Sequence, residues 1–258
     1  MERSVIRSLM EPELIRRLHG QVSTSAIHAM IKERSGYYLL KDLIDFSLAT
    51  LALGCLLPLL ALIALLIRID SPGPIFFTQT RVGSKRRTHN GVTVLERTTF
   101  PCFKFRTMVH QVDQSLHQKY VTALIRDDQT TLAAMQPGVS GIHKLIDDPR
   151  ITRLGQFLRK WSLDELPQFW NVIRGEMSLV GPRPAIPYEL TAYKEWHLQR
   201  LNAKPGITGL WQVGARSAVD FDTSVLIDLY YIQHQSTSQD LFILISTPLA
   251  VFSRKGAH

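Results

Sequence analysis

The sequence predicts an α+β fold, mainly helical, in which one long apolar segment is joined to a larger polar domain. Three observations carry this. Ser47 to Ile67 is a run of 21 residues without a charge, long enough to cross a hydrocarbon core of roughly 30 Å. Three short aromatic and β-branched runs, Ile75-Phe-Phe-Thr-Gln79, Val92-Thr-Val-Leu95 and Cys102-Phe-Lys-Phe-Arg106, are divided by glycine and basic turns and predict a small antiparallel hairpin or meander. Residues 110–135 and 151–175 have helical periodicity and composition.

Composition narrows the classes. The chain has 258 residues, enough for one large domain or one domain with appendages. Hydrophobic residues make up 45%, which supports a real core. Lys and Arg number 30 against 22 Asp and Glu, a formal net charge of +8. That excess favours an anionic partner: a phospholipid surface, nucleic acid or a phosphorylated substrate. No nucleic-acid fold signature accompanies the charge. Neither Gly-x-Gly-x-x-Gly nor a P-loop occurs, and the nine histidines show no ligand spacing. Two cysteines, Cys55 and Cys102, give no disulfide framework. The charged opening Met1-Glu-Arg-Ser-Val-Ile-Arg is not a secretory signal, so the expected location is reducing and faces the cytoplasm.

The elements follow in order. Residues 1–40 predict an N-terminal helical extension of unknown role, with Glu11-Pro12-Glu13 opening a helix before Leu14, Ile15 and Leu18 and Gly20 closing it. The apolar segment, 41–69, has two readings. One is a single transmembrane anchor. The other is a re-entrant helix-break-helix, since both flanks are basic (Lys32, Arg34 and Lys41 before; Arg68, Arg81, Lys85, Arg86 and Arg87 after) and the positive-inside rule keeps both ends in the cytoplasm. Pro58 near its middle is the natural break, although proline is tolerated in spanning helices. Residues 70–258 form the polar domain. Ser71-Pro-Gly-Pro74 is a turn, and Gly181 to Pro187 and Lys204 to Leu210 are loops. A helix is expected around Asp222–Gln233. Leu241 to Phe252, 12 residues with Pro248 inside, is too short to span; it either lies in the membrane interface or packs as a core helix.

Chemistry concentrates at Asp164-Glu165, inside Trp161-Ser-Leu-Asp-Glu-Leu-Pro-Gln-Phe-Trp170. Ser162-Leu-Asp-Glu165 fits a helix capping box, which needs no acid at Asp164. Near a helix start, Asp164 would feel the positive end of the dipole, which favours a carboxylate nucleophile. Adjacent helical positions do not face each other, so the two acids are expected to hold different roles. Gly181-Pro-Arg-Pro184 fixes the backbone around Arg183, and a preset guanidinium suits bidentate phosphate recognition. A proline-stiffened loop with a solvated arginine would look the same. Lys104, Arg106, Arg159 and Arg216 are further candidate cations; Asp148-Pro149 before Arg150 is a turn or helix start.

These residues resemble the bacterial sugar transferases, the monotopic phosphoglycosyl transferases. The resemblance rests on Lys41-Asp-Leu-Ile-Asp-Phe46, Pro74-Ile-Phe-Phe-Thr-Gln79, Phe105-Arg-Thr-Met108, Asp148-Pro-Arg-Ile-Thr152, Ser162-Leu-Asp-Glu-Leu-Pro-Gln168, Met177-Ser-Leu-Val-Gly-Pro-Arg-Pro184, Lys204-Pro-Gly-Ile-Thr-Gly209 and Asp228-Leu-Tyr-Tyr231. It implies a catalytic domain on the cytoplasmic face of the inner membrane, held by a re-entrant helix broken at Pro58 and by interfacial amphipathic helices. Here Leu57 stands where the family often has serine. The implied reaction transfers a sugar-1-phosphate from a UDP-sugar to polyprenyl phosphate through a covalent intermediate on Asp164, releasing UMP. Glu165, with Asp164, would hold Mg²⁺ or assist the acceptor. Arg183, Arg106, Arg159 and Arg216 would contact phosphate or nucleotide, though Gly214-Ala215-Arg216 departs from the family's usual Asn-Gly-Arg or Ser-Gly-Arg. Expected partners are the UDP-sugar (glucose or galactose preferred, an N-acetylated sugar open), polyprenyl phosphate, membrane phospholipid and, in a homodimer, a second copy; nucleic acid is not expected. The competing class is a non-catalytic membrane-anchored scaffold or binding module.

Overall fold

A computed structural model describes residues 34–89, 92–110, 113–135, 148–214 and 219–252. The extension expected before residue 34, including the Glu11–Gly20 helix, lies outside the described residues. So does Arg216.

The apolar segment forms a single helix, α1, Ser35–Asp70. At 1.5 Å per residue it is about 54 Å long, well beyond the ~30 Å of a hydrocarbon core. Its buried positions are Tyr38, Lys41, Asp45 and Ala49 near the start and Ile63 and Ile67 near the end. Leu51, Leu57, Leu62 and Leu65 between and around them are more than half exposed. The expected break does not interrupt the helix, because Pro58 sits inside it. Proline removes the hydrogen bond to the carbonyl four residues back. That residue is Gly54, and the helix continues through the lost hydrogen bond to Asp70.

The three predicted strand runs make one hairpin and no meander. β1 (Phe76–His89) pairs antiparallel with β2 (Val92–Phe105), from Phe76 opposite Phe105 to His89 opposite Val92. The basic stretch expected as a turn is strand, with Lys85 opposite Glu96 and Arg87 bridged to Glu96 at 2.8 Å. Cross-strand charge pairs of this kind support a ladder.

Both predicted helical windows are split by a residue in the left-handed region. Asp127 (φ 55) separates α2 (Ser115–Arg126) from α3 (Gln129–Met135). Ser162 (φ 55) ends the turn after α4 (Arg153–Lys160); a short 3₁₀ turn, Leu163–Glu165, then leads into α5 (Gln168–Ile173). β3 (Ser178–Val180) and β4 (Gly206–Thr208) form a small parallel pair. Two 3₁₀ turns, Pro187–Thr191 and Glu195–Leu201, lie between them. α6 (Leu210–Gly214), α7 (Phe221–His234) and α8 (Thr237–Phe252) complete the chain. α7 begins where expected because the Asp220 carboxylate accepts from the Thr223 N–H, a standard N-cap.

The main core joins α1, β2, α5, α7 and α8 through Ala49, Phe100, Val172, Met177, Val225, Tyr231 and Ile243. A second cluster joins Ile63 and Ile67 of α1 to Phe105 and Leu158, with Leu163 and Leu166 packed against it. Full burial of one such aliphatic side chain stabilises by about 1.5–3 kcal/mol. α1 is therefore fastened near both ends to one domain. α8 buries Asp240, Ile243 and Ser246 and exposes Leu241, Phe242, Ile245, Leu249 and Phe252, so its apolar residues lie mostly outward, unlike a core helix.

Candidate active site

The carboxylate turn is built by α4 and by the end of the hairpin. Thr152 caps α4, its hydroxyl accepting from the Gly155 N–H at 2.9 Å. Gly155 lies so close to β2's continuation that a Cβ there would come within 2.1 Å of the Thr107 carbonyl, and no side chain fits. One turn later, Arg159 Nε donates to Thr107 Oγ1 at 2.8 Å. Burial lowers the Arg159 pKa, opposed by the negative charges of Asp164 and Asp148. Arg159 thus feels the charge of Asp164, which is itself buried.

The capping box is not formed. Ser162 makes no side-chain cap, because its left-handed backbone turns the chain before a helix can begin. Glu165 reaches Lys104 Nζ at 2.6 Å instead. Asp164 and Glu165 occupy a three-residue 3₁₀ turn ahead of α5, which opens only after Pro167, so Asp164 precedes that helix by a turn and does not start it.

Glu165 and Lys104 line a cavity together with Arg81, Cys102, Gln168, Arg183, Pro184, Gly206, Ile207 and Gln212. Arg183 is held there by its loop. Gly181 N–H donates to Thr208 O and Gly206 N–H to Pro182 O, both at 2.9 Å, and Val82 N–H donates to Ala185 O at 2.8 Å. The loop and β4 pack backbone to backbone: a Cβ on Gly206 would come within 2.1 Å of Gly181 N. Burial pushes the Cys102 thiol up, which disfavours a thiolate nucleophile.

Of the predicted cations, Arg183 and Lys104 line this cavity, and Arg159 is bonded to Thr107 beside the carboxylate turn. Arg106 is spent elsewhere. Its Nη1 donates to Pro72 O at 2.6 Å and its Nη2 to Ser71 O at 2.7 Å, to Ser71 Oγ at 3.0 Å and to Ile67 O at 3.4 Å. It closes the C-terminal end of α1, where free carbonyls need donors. Asp148 and Arg150 form a bidentate pair, at 2.7 and 2.6 Å, whose hydrogen bonds hold the Asp148 carboxyl below its ordinary range.

Sequence reasoning missed three participants. Arg81 reads from the sequence only as flanking charge; the available signal is its two-residue spacing from Gln79, which puts both side chains on one face of a strand, and Arg81 Nη2 donates to Gln79 Oε1 at 2.7 Å. His117 on α2 lies 2.9 Å from Tyr188 OH through Nδ1. Burial lowers its pKa to about 4, helped by the charges of Arg81, Arg183, Arg150 and Arg159. No local pattern marked either His117 or Tyr188.

Among the described residues no group of three or more His, Cys, Asp or Glu could hold a metal ion. Two adjacent carboxylates still fit Mg²⁺, which commonly uses one or two carboxylates, waters and substrate phosphates. They do not fit an ion that needs an all-protein cage.

The family model for bacterial sugar transferases matches residues 36–254. The exopolysaccharide production protein ExoY of Sinorhizobium fredii is 40% identical over 216 residues, covering 83% of this chain and 86% of the relative. The UDP-galactose-lipid carrier transferase of Erwinia amylovora is 40% identical over 219 residues, covering 85% of this chain and 42% of the relative. The UDP-glucose:undecaprenyl-phosphate glucose-1-phosphate transferase of Escherichia coli is 36% identical over 228 residues, again with 85% and 42% covered. The chain therefore spans most of one relative and less than half of the other two. With a match that takes in α1, the carboxylate turn and the Arg183 loop together, this chain belongs to the bacterial sugar transferase family.

Proposed function

We propose that the chain transfers a sugar-1-phosphate from a UDP-sugar to a polyprenyl phosphate, in exopolysaccharide or capsule assembly. The observation that carries this is the carboxylate turn set beside a cavity with three cations, Arg81, Lys104 and Arg183, and one acid, Glu165, among its lining residues. Phosphoryl transfer asks mainly for charge neutralisation and positioning, and this is the charge balance it needs.

In the proposed sequence an Asp164 carboxylate oxygen attacks the β-phosphorus of the donor. The bond from that phosphorus to the bridging oxygen breaks, and UMP leaves with the electron pair. An oxygen of polyprenyl phosphate then attacks the phosphosugar on Asp164, forming the lipid diphosphosugar and freeing the carboxylate. Arg183 and Lys104 offset the phosphate charge, and Arg159 steadies Asp164. Mg²⁺, held by Asp164 and Glu165 with the donor's phosphates, would supply further charge neutralisation.

A lipid acceptor requires a site at the membrane surface. α1 supports this, because its N-terminal half docks through Asp45 to Ser178 and Leu179 and its C-terminal end through Ile67 and Arg106. A charged domain tied near both ends of one continuous helix cannot follow it across the hydrocarbon, so in this reading α1 is held on one side of the membrane, its exposed leucines toward lipid and both ends on the cytoplasmic face of the inner membrane. The outward apolar face of α8 lies in the interface, next to Trp161, which meets Phe252 edge-on at 6.0 Å. Single cysteines at positions 35 and 85 should both label from the cytoplasmic side and neither from outside; labelling of one from each side contradicts this topology. The chemistry is tested by UMP release from UDP-sugars in lipid, which Asp164→Asn should abolish without loss of folding.

A further inference from the structure

β1 grips the Arg183 loop from behind. Arg81 is 6% exposed, and its Nη1 donates to the Pro184 carbonyl at 2.8 Å while its Nη2 is anchored on Gln79 Oε1 at 2.7 Å. The next residue, Val82, forms an isolated antiparallel bridge with Ala185. On the loop's other side Gly181 and Pro182 are bonded to Thr208 and Gly206. Residues 181, 182 and 185 are thus fixed by backbone hydrogen bonds and 184 by the Arg81 side chain, and Arg183 is the residue between them. Arg81 also lines the same cavity as Arg183. Two guanidinium groups lining one cavity repel each other, and a group with two or more negative charges relieves that repulsion.

We propose that Arg81 is a positioning residue of the donor-diphosphate site, aiming Arg183 by holding the Pro184 carbonyl and adding a second positive charge behind it. This rests on the transferase reading above. Lysine at 81 would keep the charge but lose the planar fork that reaches Pro184 and Gln79 together.

The full chain in lipid nanodiscs is compared as wild type, Arg81→Lys, Gln79→Leu, Arg183→Lys and the Arg81→Lys/Arg183→Lys double variant. Arg81→Lys should raise KM for the UDP-sugar about tenfold with kcat within about threefold, and Gln79→Leu should raise it about threefold. The double variant should fall well short of the product of the single effects, since one residue acts through the other. Protection of each protein against heat by UDP is measured in parallel. UDP should protect wild type and fail to protect Arg81→Lys at the same concentration. Unchanged KM in Arg81→Lys and Gln79→Leu, with activity lost only in proportion to unfolded protein, overturns the proposal. If Arg81→Lys does not fold, an unchanged KM in Gln79→Leu alone overturns it. If no UDP-sugar yields UMP, the transferase reading has failed, and the UDP arm still decides: equal protection of both proteins, or of neither, overturns the proposal.

Discussion

Two buried polar clusters among the described residues differ in how far they are satisfied. Around Asp240, the carboxylate accepts from Tyr37 OH and Lys41 Nζ at 2.8 Å each and from Tyr231 OH at 2.6 Å. One acid meets one cation, and the cluster ties α1 to α7 and α8. Beside the carboxylate turn, the described lining of the cavity has three cations, Arg81, Lys104 and Arg183, and one acid, Glu165. A cluster whose charges balance internally is a fastening, whereas one with surplus positive charge awaits an anion. Both are rich in charge, so the difference lies in the balance.

Asp240→Ala tests the first side. It leaves Lys41 buried without its carboxylate and should destabilise the protein by about 3–5 kcal/mol, with KM for the donor unchanged in the fraction that folds; denaturant unfolding in detergent measures it. Arg183→Ala tests the second. It should reduce kcat/KM by about 10²-fold, roughly 2.7 kcal/mol, with the unfolding midpoint near that of wild type. A large stability loss in Arg183→Ala, or a donor-affinity loss in Asp240→Ala, would erase the distinction.

The smallest effect concerns His117, which borders the cation-rich side. Its pKa when folded is about 4, below the ordinary histidine value near 6.5. Folding therefore favours the neutral ring. That contribution is complete above pH ~6.5 and is lost as pH falls toward 4. Wild type should lose about 2 kcal/mol more stability than His117→Gln between pH 7 and 4, allowing for partial exposure. His197, also lowered to about 4 by burial, is present in both proteins and cancels. Equal losses would place His117 in a more open environment than described.

What the sequence disclosed follows the same division. Features fixed by local chemistry were legible: the hairpin from its β-branched runs, the existence of α7, and the Arg183 loop from its flanking prolines. Residues whose partners lie far along the chain were not. Arg106 looks like a phosphate ligand until the end of α1, some 35 residues earlier, takes both its Nη groups. Arg81 reads as surface charge until Pro184, 103 residues on, is seen to need it. Ser162 fits a capping box by spacing, yet spacing carries no information about a left-handed backbone. Pro58 predicts a break, yet a proline removes only one hydrogen bond of the ladder, and the helix runs on through it.

The central claim is that Asp164 carries the phosphosugar. A donor labelled with ³²P at the β-phosphate, mixed with the protein without lipid acceptor, should leave label on wild-type protein and none on Asp164→Asn. Addition of polyprenyl phosphate should then move the label from protein to lipid. Label retained on Asp164→Asn, or lipid product formed by that variant at the wild-type rate, would contradict the account.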